Sequence, residues 1–356
     1  MKVSIILPIY NESQFIARTI DSIITQSYSQ NDMELIISDG MSNDDTRIIV
    51  KNYQDKFPFI KLIDNPERIV PTGFNRALNI AKGRIIIRVD GHTTLDKDYI
   101  KNCVLLLEKK SASNVGGLMT VIWKKDFDHV VSLATSSRFG IGNSQFHYSS
   151  IGRWVDTVYL GAWEKSIFND LGGFDEELVR NQDDEFNFRI LQSGRKIWLD
   201  PIIKSKYFPR NTISKLLKQY LQYGFYKVRV VQKRGGLASW RHLIPSLFVS
   251  ALLVSLILIN IYSVPFKILL FIYFIANLIA TVINIISEIN PRKIFDYDVS
   301  FNRVLFTVYA FFVLPITYFI LHFSYGVGTI AGLLFFWNKW KDKKLKDSLF
   351  IKKSGV

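Results

Sequence analysis

Between Leu243 and Trp337 the chain is dominated by Leu, Ile, Phe and Val, with one charged interruption, and this stretch limits the possible folds more than any other feature. Leu243–Tyr262 and Val264–Ile286 are each about 20 residues long and nearly uncharged, enough for a helix to cross a hydrocarbon core of about 30 Å. Val304–Trp337 is longer, about 34 residues, and reads as two crossings with a tight turn or as one crossing plus a re-entrant or interfacial segment. Its only break is the polar run His322-Phe323-Ser324-Tyr325-Gly326. A soluble helical core seldom contains several apolar runs of this length. Met1–Tyr10 does not read as a signal peptide: its apolar part is short, lacks a small-residue cleavage site and runs straight into Asn11-Glu12.

The net charge of +14 is not read as nucleic-acid binding, because the basic residues gather beside the apolar stretches. Lys227, Arg229, Lys233, Arg234 and Arg241 precede the first. Lys339, Lys341, Lys343, Lys344, Lys346, Lys352 and Lys353 follow the last. The positive-inside rule then expects both flanks in the cytoplasm, hence an even number of crossings, with four favoured over three. The loop Ser287–Arg303, with Arg292, Lys293 and Arg303, falls on the same side. Thr212–Gln232, rich in Tyr and Lys/Arg, reads as an amphipathic helix at the membrane interface. The expected organisation is a soluble domain over 1–210, an interfacial segment over 211–241, membrane helices over 242–338 and a basic tail over 339–356. The single Cys103 excludes an intramolecular disulfide.

The first 210 residues read as α/β. Val3–Pro8, Glu34–Ser38, Ile60–Ile63 and Arg84–Val89 are strand-like runs; Ser13–Ser27, Asp44–Tyr53 and Thr72–Ala81 carry helical patterns. The alternation predicts a mainly parallel sheet, which binds ligands at the carboxyl ends of its strands. Four polar clusters follow strand ends or turns. They are Pro8-Ile9-Tyr10-Asn11-Glu12, Asp39–Thr46, Asp90-Gly91-His92, and Gly172–Glu176 with Asn181-Gln182-Asp183-Asp184-Glu185. The first three should share one crevice. An acid and a histidine closing the run Arg84–Val89 suit a divalent cation held against a diphosphate. No Walker loop and no Gly-x-Gly-x-x-Gly is present, so phosphate would be held by a cation and basic side chains.

With Asn65-Pro66, Pro71–Ala77 and Val155–Ala162, these clusters make the chain resemble a family 2 glycosyltransferase of GT-A fold. Within that family it is similar to the membrane-attached enzymes of bacterial exopolysaccharide assembly. The resemblance implies a Rossmann-like nucleotide-sugar-binding domain followed by transmembrane helices. Pro8, Tyr10, Glu12, Asp39, Asn75, Arg76 and Asp90 would form the donor site, with Glu12 and Asp39 beside the uridine. Asp90, leading an Asp-x-Asp-like motif with His92 in the second place, would bind Mn²⁺ or Mg²⁺. Asp183 would be the general base, with Asp184 as rival because Gln182 replaces the usual Glu. The Gln-x-x-Arg-Trp motif of processive members is replaced by Gln222-Tyr223-Gly224-Phe225-Tyr226, which implies one sugar per acceptor.

The activity implied is inverting transfer from a UDP-sugar to an undecaprenyl-diphosphate-linked glycan at the cytoplasmic membrane. Lipid and other polysaccharide-assembly proteins are the implied partners. Direct transfer to polyprenyl phosphate and a non-catalytic nucleotide-sugar-binding scaffold are the alternatives.

Overall fold

The computed structural model describes residues 2–123, 125–142, 145–147, 149–208, 212–236, 242–289 and 301–341. Arg241, Arg292, Lys293 and the tail lysines 343, 344, 346, 352 and 353 lie outside them. The chain divides into two compact units, and the division is not a single cut. One unit comprises Met1–Val121 and Gln145–Phe208; the other comprises Ile122–Ser144 and Pro209–Lys341. The expected continuous 1–210 domain is therefore interrupted, since 122–144 folds with the C-terminal helices.

In the first unit the chain runs β1 (Val3–Ile9), α1 (Ile16–Ile24), β2 (Met33–Asp39), α2 (Thr46–Gln54), β3 (Ile60–Asp64), α3 (Val70–Ile80), β4 (Ile85–Arg88), β5 (Thr93–Leu95), α4 (Tyr99–Lys110) and β6 (Asn114–Val121). After α5 (Asp126–Thr135) and α6 (Arg138–Ile141), which belong to the second unit, it returns as β7 (Arg153–Val155), β8 (Tyr159–Glu164), α7 (Ser166–Leu171), α8 (Gln182–Gln192) and β9 (Ile197–Tyr207). The sheet order is β3-β2-β1-β4-β8-β6-β9-β5, with β7 paired to β9. The first four strands are parallel, as the βα alternation predicts, but β8 is antiparallel to both β4 and β6. The sheet is therefore mixed rather than mainly parallel in its second half. β1 and β2 are buried along their whole length because helices cover both faces, which is why they read as unbroken apolar runs. Register aligns Ile9 with Asp39, Asp39 with Asp64, and Ile6 with Arg88. The carboxyl ends of four strands thus meet along one edge.

The second unit holds α5, α6, α9 (Ile213–Arg234), α10 (Ile244–Ile257), α11 (Val264–Ile289) and α12 (Phe301–Phe335). Two apolar helices, over Val264–Glu288 and Val304–Phe335, are long enough to cross a membrane. The first expected span is shorter: α10 has 14 residues, about 21 Å at 1.5 Å per residue. Val304–Trp337, read as two crossings with a tight turn or as one crossing plus a re-entrant or interfacial segment, has no such turn: Phe301–Phe335 is one helix of 35 residues. Its glycines do not turn the chain; they admit neighbouring backbone. A Cβ on Gly328 would lie 2.1 Å from the Leu221 carbonyl oxygen, and one on Gly326 2.4 Å from that of Pro245. Across the same contact, a Cβ on Gly224 would lie 2.0 Å from the Tyr325 oxygen. Close approach of backbones is the usual service of small residues between membrane helices.

Candidate active site at the strand ends

Three loops converge on the edge made by β1, β2 and β4, and short polar side chains latch them together. Asn11, with φ of 53°, turns the chain out of β1. Its amide exchanges hydrogen bonds with Asn43 at 2.8 and 3.0 Å, and its backbone N–H donates to Ser42 Oγ. The Glu12 N–H donates to Thr46 Oγ1 at 2.8 Å. Met41 also sits at positive φ, a conformation that costs a non-glycine residue about 1–2 kcal/mol and is held only where the surroundings fix it. Pro8 fits the end of β1 because β4 pairs only as far as Ile6 and leaves no ladder bond to lose. Tyr10 is exposed next to it.

Asp39 is fully buried and heavily used. Its carboxylate accepts from Ser42 Oγ at 2.5 Å, from the Ser42 N–H at 3.0 Å and from Arg47 Nη1 at 2.6 Å. Arg47 bridges on to Asp64 at 2.8 Å, and its pairs with Asp64 and Asp39 raise its pKa above the ordinary value. Asp39 therefore stands at the crevice floor beneath Arg47.

The turn Asp90-Gly91-His92 lies against Glu12. His92 Nδ1 is 3.1 Å from Glu12 Oε1, and Glu12 is buried. Gly91 is required there: a Cβ would meet Glu12 Cγ at 2.8 Å and Ile9 Cγ2 at 2.9 Å. Thr19 Oγ1 donates to the Gly91 carbonyl at 3.0 Å, and the Tyr207 ring stands edge-on to His92 at 5.1 Å. With Nδ1 committed to a carboxylate, the imidazole keeps Nε2 for a ligand, which is the arrangement of most metal-binding histidines. Among the described residues no group of three metal-capable side chains is assembled. A cation held by Asp90 and His92 would need further ligands from a bound diphosphate.

The residue that the sequence reading missed is Arg88. It ends β4, is 7% exposed at its side chain, and donates through Nε and Nη2 to Asp90 Oδ1 at 3.1 and 2.9 Å. Its Nη1 lies 3.5 Å from Asp183 Oδ2. Burial works against the Arg88 charge, and Asp90 and Asp183 more than offset it, holding its pKa above the usual value. The signal was an arginine inside an isoleucine run, where a cation survives only if paired.

Asp183 sits in the first turn of α8, after Asn181 at φ of 63°. It is Asp183 that the structure brings to Arg88. The neighbouring Asp184 gives its backbone N–H to Asp183 Oδ1 at 2.9 Å. The loop before α8 is pinned twice. Asn75 accepts from the Phe174 N–H and donates to the Phe174 carbonyl and to Glu176 Oε1, each at 2.8 Å. Arg189 pairs with Glu185 at 2.8 Å and donates to the Gly173 carbonyl at 2.7 Å, while burial pushes its pKa down to about 10. Phe174 then enters the core, and the Arg88 guanidinium lies 5.9 Å from its ring centre. Of the expected donor-site residues, Asn75 serves this loop and Arg76 forms a surface pair with Glu67 at 2.6 Å. Pro8, Tyr10, Glu12, Asp39 and Asp90 gather at the crevice.

Residues 4–160 match the model of glycosyl transferase family 2. The chain is 27% identical over 340 residues, covering 93% of its length and 97% of the relative's, to a dolichyl N-acetyl-alpha-D-glucosaminyl phosphate 3-beta-D-2,3-diacetamido-2,3-dideoxy-beta-D-glucuronosyltransferase of Methanococcus voltae. It is 28% identical over 243 residues to the succinoglycan biosynthesis protein ExoA of Rhizobium meliloti strain 1021, covering 68% of this chain and 73% of that one. Among solved structures it is similar in fold to the mannosyltransferase PcManGT of Pyrobaculum calidifontis, in complex with GDP-Man and Mn²⁺. The TM-score there is 0.57, with 18% identity over 93% of this chain and 87% of the other. With the crevice at the strand ends, the first unit is a mixed α/β sheet of GT-A type whose residues 4–160 match glycosyl transferase family 2.

Proposed function

We propose that the protein is an inverting glycosyltransferase that moves a sugar from a UDP-sugar to a polyprenyl-diphosphate-linked glycan, in exopolysaccharide or capsule synthesis. The observation that carries this reading is the Arg88 junction, where one buried guanidinium reaches both Asp90 and Asp183. A group that meets the departing diphosphate and a group that takes the acceptor proton must flank one anomeric carbon. That Asp90 and Asp183 both lie against one guanidinium supports assigning these two tasks to them.

The acceptor hydroxyl attacks the anomeric carbon as Asp183 takes its proton, because an alcohol is a poor nucleophile at neutral pH. The bond to the UDP oxygen breaks in the same displacement, so an α-linked donor gives a β-linked product. Asp90 and His92 would hold Mn²⁺ or Mg²⁺, which supplies positive charge against the leaving diphosphate. Glu12, through His92 Nδ1, fixes which ring nitrogen is presented. Tyr10 and Asp39 are assigned to the nucleoside side of the crevice. A lipid-linked acceptor is supported by the Methanococcus relative, whose name places a sugar on a dolichyl-linked one. Membrane attachment through α10–α12 keeps such a substrate's headgroup within reach, on the cytoplasmic side, where nucleotide sugars are made.

The test is UDP release by the purified protein with Mn²⁺, across UDP-glucose, UDP-galactose and UDP-N-acetylhexosamines, with and without a lipid-diphosphate extract. Release that depends on metal and rises with the extract is expected. Asp183→Asn should abolish turnover, on the order of 10²–10⁴-fold, and leave UDP affinity intact. If Asp183→Asn keeps full turnover while Asp184→Asn loses it, the base is Asp184. Silence with every donor despite UDP binding would favour the scaffold.

A further inference from the structure

We propose that Trp154 and Trp198, with Lys110 and Lys196, form a glycan-binding exosite on the first unit, where an acidic sugar of the acceptor's chain is held away from the reaction centre. The proposal rests on the reading of the acceptor as a glycan. It goes beyond that reading by naming a second place where the glycan is gripped and the charge it carries there.

The argument starts from one row of residues across the sheet. Ile87 of β4 pairs with Ala162 of β8, Ala162 with Val115 of β6, Val115 with Trp198 of β9, and Trp198 with Trp154 of β7. Partners directly opposite one another share a face of the sheet. On this face Ile87, Ala162 and Val115 are fully buried, in a core to which α4 contributes Ile100, Cys103 and Leu107. Trp198 packs against the rim of that core. There α4 ends: its last residue, Lys110, holds Nζ 4.2 Å from the centre of the Trp198 ring. One strand farther out the cover is gone. Trp154 stands 46% exposed, and its ring meets Trp198 edge-on at 4.9 Å. Lys196, just before β9, places Nζ 5.4 Å from the Trp154 ring centre.

A solvent-facing edge position ordinarily carries a charge, which discourages association. Here it carries an indole, with Ile151 exposed nearby in the chain. Packing does not require that indole, because the adjacent Val155 already anchors β7 to the core on the opposite face. An added strand from a partner is a poor occupant too: β7 has three residues, and an edge so short offers little to pair with.

The chemistry of the patch fits a sugar. The C–H face of a pyranose packs on the electron-rich face of an aromatic ring, and its hydroxyls stay in water. Among the described residues Lys110 and Lys196 make aromatic contacts but no ion pair. Cation–π contacts at exposed sites are weak, so both ammoniums remain open to a carboxylate and its charge-assisted hydrogen bonds. Asp200 beside them is already committed. It accepts from Trp198 Nε1 at 3.0 Å and from the Ile202 N–H at 3.2 Å, which fixes the indole. The surplus of positive charge selects a sugar bearing a carboxylate, such as a uronic acid. Placement suits a chain rather than a single sugar. Trp154 is four strands from Ile87, about 19 Å at the usual strand spacing, and Asp90 lies beyond Ile87. Several sugar units separate the two places, so the exosite grips the chain behind the sugar that reacts.

The test titrates the full-length protein in detergent, without donor, with tetragalacturonate and with neutral cellotetraose, by isothermal titration calorimetry. Tetragalacturonate should bind more tightly than cellotetraose, and less tightly as salt rises. Trp154→Ala should weaken it about tenfold and Trp154→Phe less. Lys110→Met combined with Lys196→Met should bring the two sugars to equal affinity, and Asp183→Asn should leave binding as it is. No binding, or binding that survives Trp154→Ala, overturns the exosite. Equal affinity for the two sugars in the unsubstituted protein overturns the acidic ligand. UDP release by the same preparation separates this proposal from the catalytic one. Trp154-dependent binding by a protein silent with every donor keeps the exosite and removes the transferase; release that rises with the lipid-diphosphate extract, without oligosaccharide binding, does the reverse.

Discussion

On the proposed reading Arg88 holds the two halves of the reaction together, because its guanidinium is joined to both Asp90 and Asp183. Arg88→Ala strands two carboxylates near each other and lets Asp183 drift; a displacement of about 1 Å costs on the order of 100-fold in rate. We expect kcat to fall by about that factor with KM for the donor changed less, and Arg88→Lys to recover little, since an ammonium cannot span both partners. Steady-state UDP release separates the two constants. At Gly91 the argument is steric. Gly91→Ala places a methyl group 2.8 Å from Glu12 Cγ, so Glu12 must leave His92. Nucleotide-dependent Mn²⁺ affinity should fall about 10–100-fold, read by the loss of bound Mn²⁺ in electron paramagnetic resonance, while metal-free UDP binding stays within twofold. An unchanged Mn²⁺ affinity would remove Glu12 from the metal's surroundings.

At the scale of elements, Glu34 of β2 ties three neighbours at once. It accepts from Ser4 of β1 at 2.7 Å, from Lys61 of β3 at 2.7 Å and from the Lys82 N–H after α3 at 2.6 Å. Burial opposes its charge, but Lys61, the Lys82 amide and Ser4 outweigh burial and keep its pKa below the ordinary carboxylate value. A depressed folded-state pKa stabilises above the unfolded value and loses that contribution as pH falls through the folded one. Glu34→Gln should therefore lower Tm at neutral pH and flatten its decline on acidification; parallel melting curves would show that Glu34 contributes nothing to the acid limb. Between α9 and α12 the contact is backbone on backbone. Gly328→Ala drives a Cβ to 2.1 Å from the Leu221 oxygen, an overpacking cost of about 1–3 kcal/mol. Tm in detergent should drop by several degrees, with donor binding to the first unit unchanged.

For the whole molecule, the apolar stretches, the strand-helix alternation and the acids at strand ends were all legible along the chain, because each depends on local periodicity or on a turn. The clusters that hold Asp90, His92, Glu12, Asp39 and Asp183 could be named that way, and the family resemblance singled out these residues within them. What local pattern could not supply is which side chains meet. The sequence gives no hint that Glu12 backs His92, that Arg88 joins Asp90 to Asp183, or that Asn75 serves a loop a hundred residues later, since these contacts depend on strand order and on the antiparallel turn of β8. The same limit applies to the membrane helices. Hydropathy counts apolar residues and so expected crossings in Val304–Trp337, but it is blind to what lies beside them. Only the tertiary structure lays α5, α6 and α9 along α12. Length and composition determined where the long apolar helices lie; only the tertiary structure decided which of their side chains meet α5, α6 and α9, because those contacts join residues far apart in the chain.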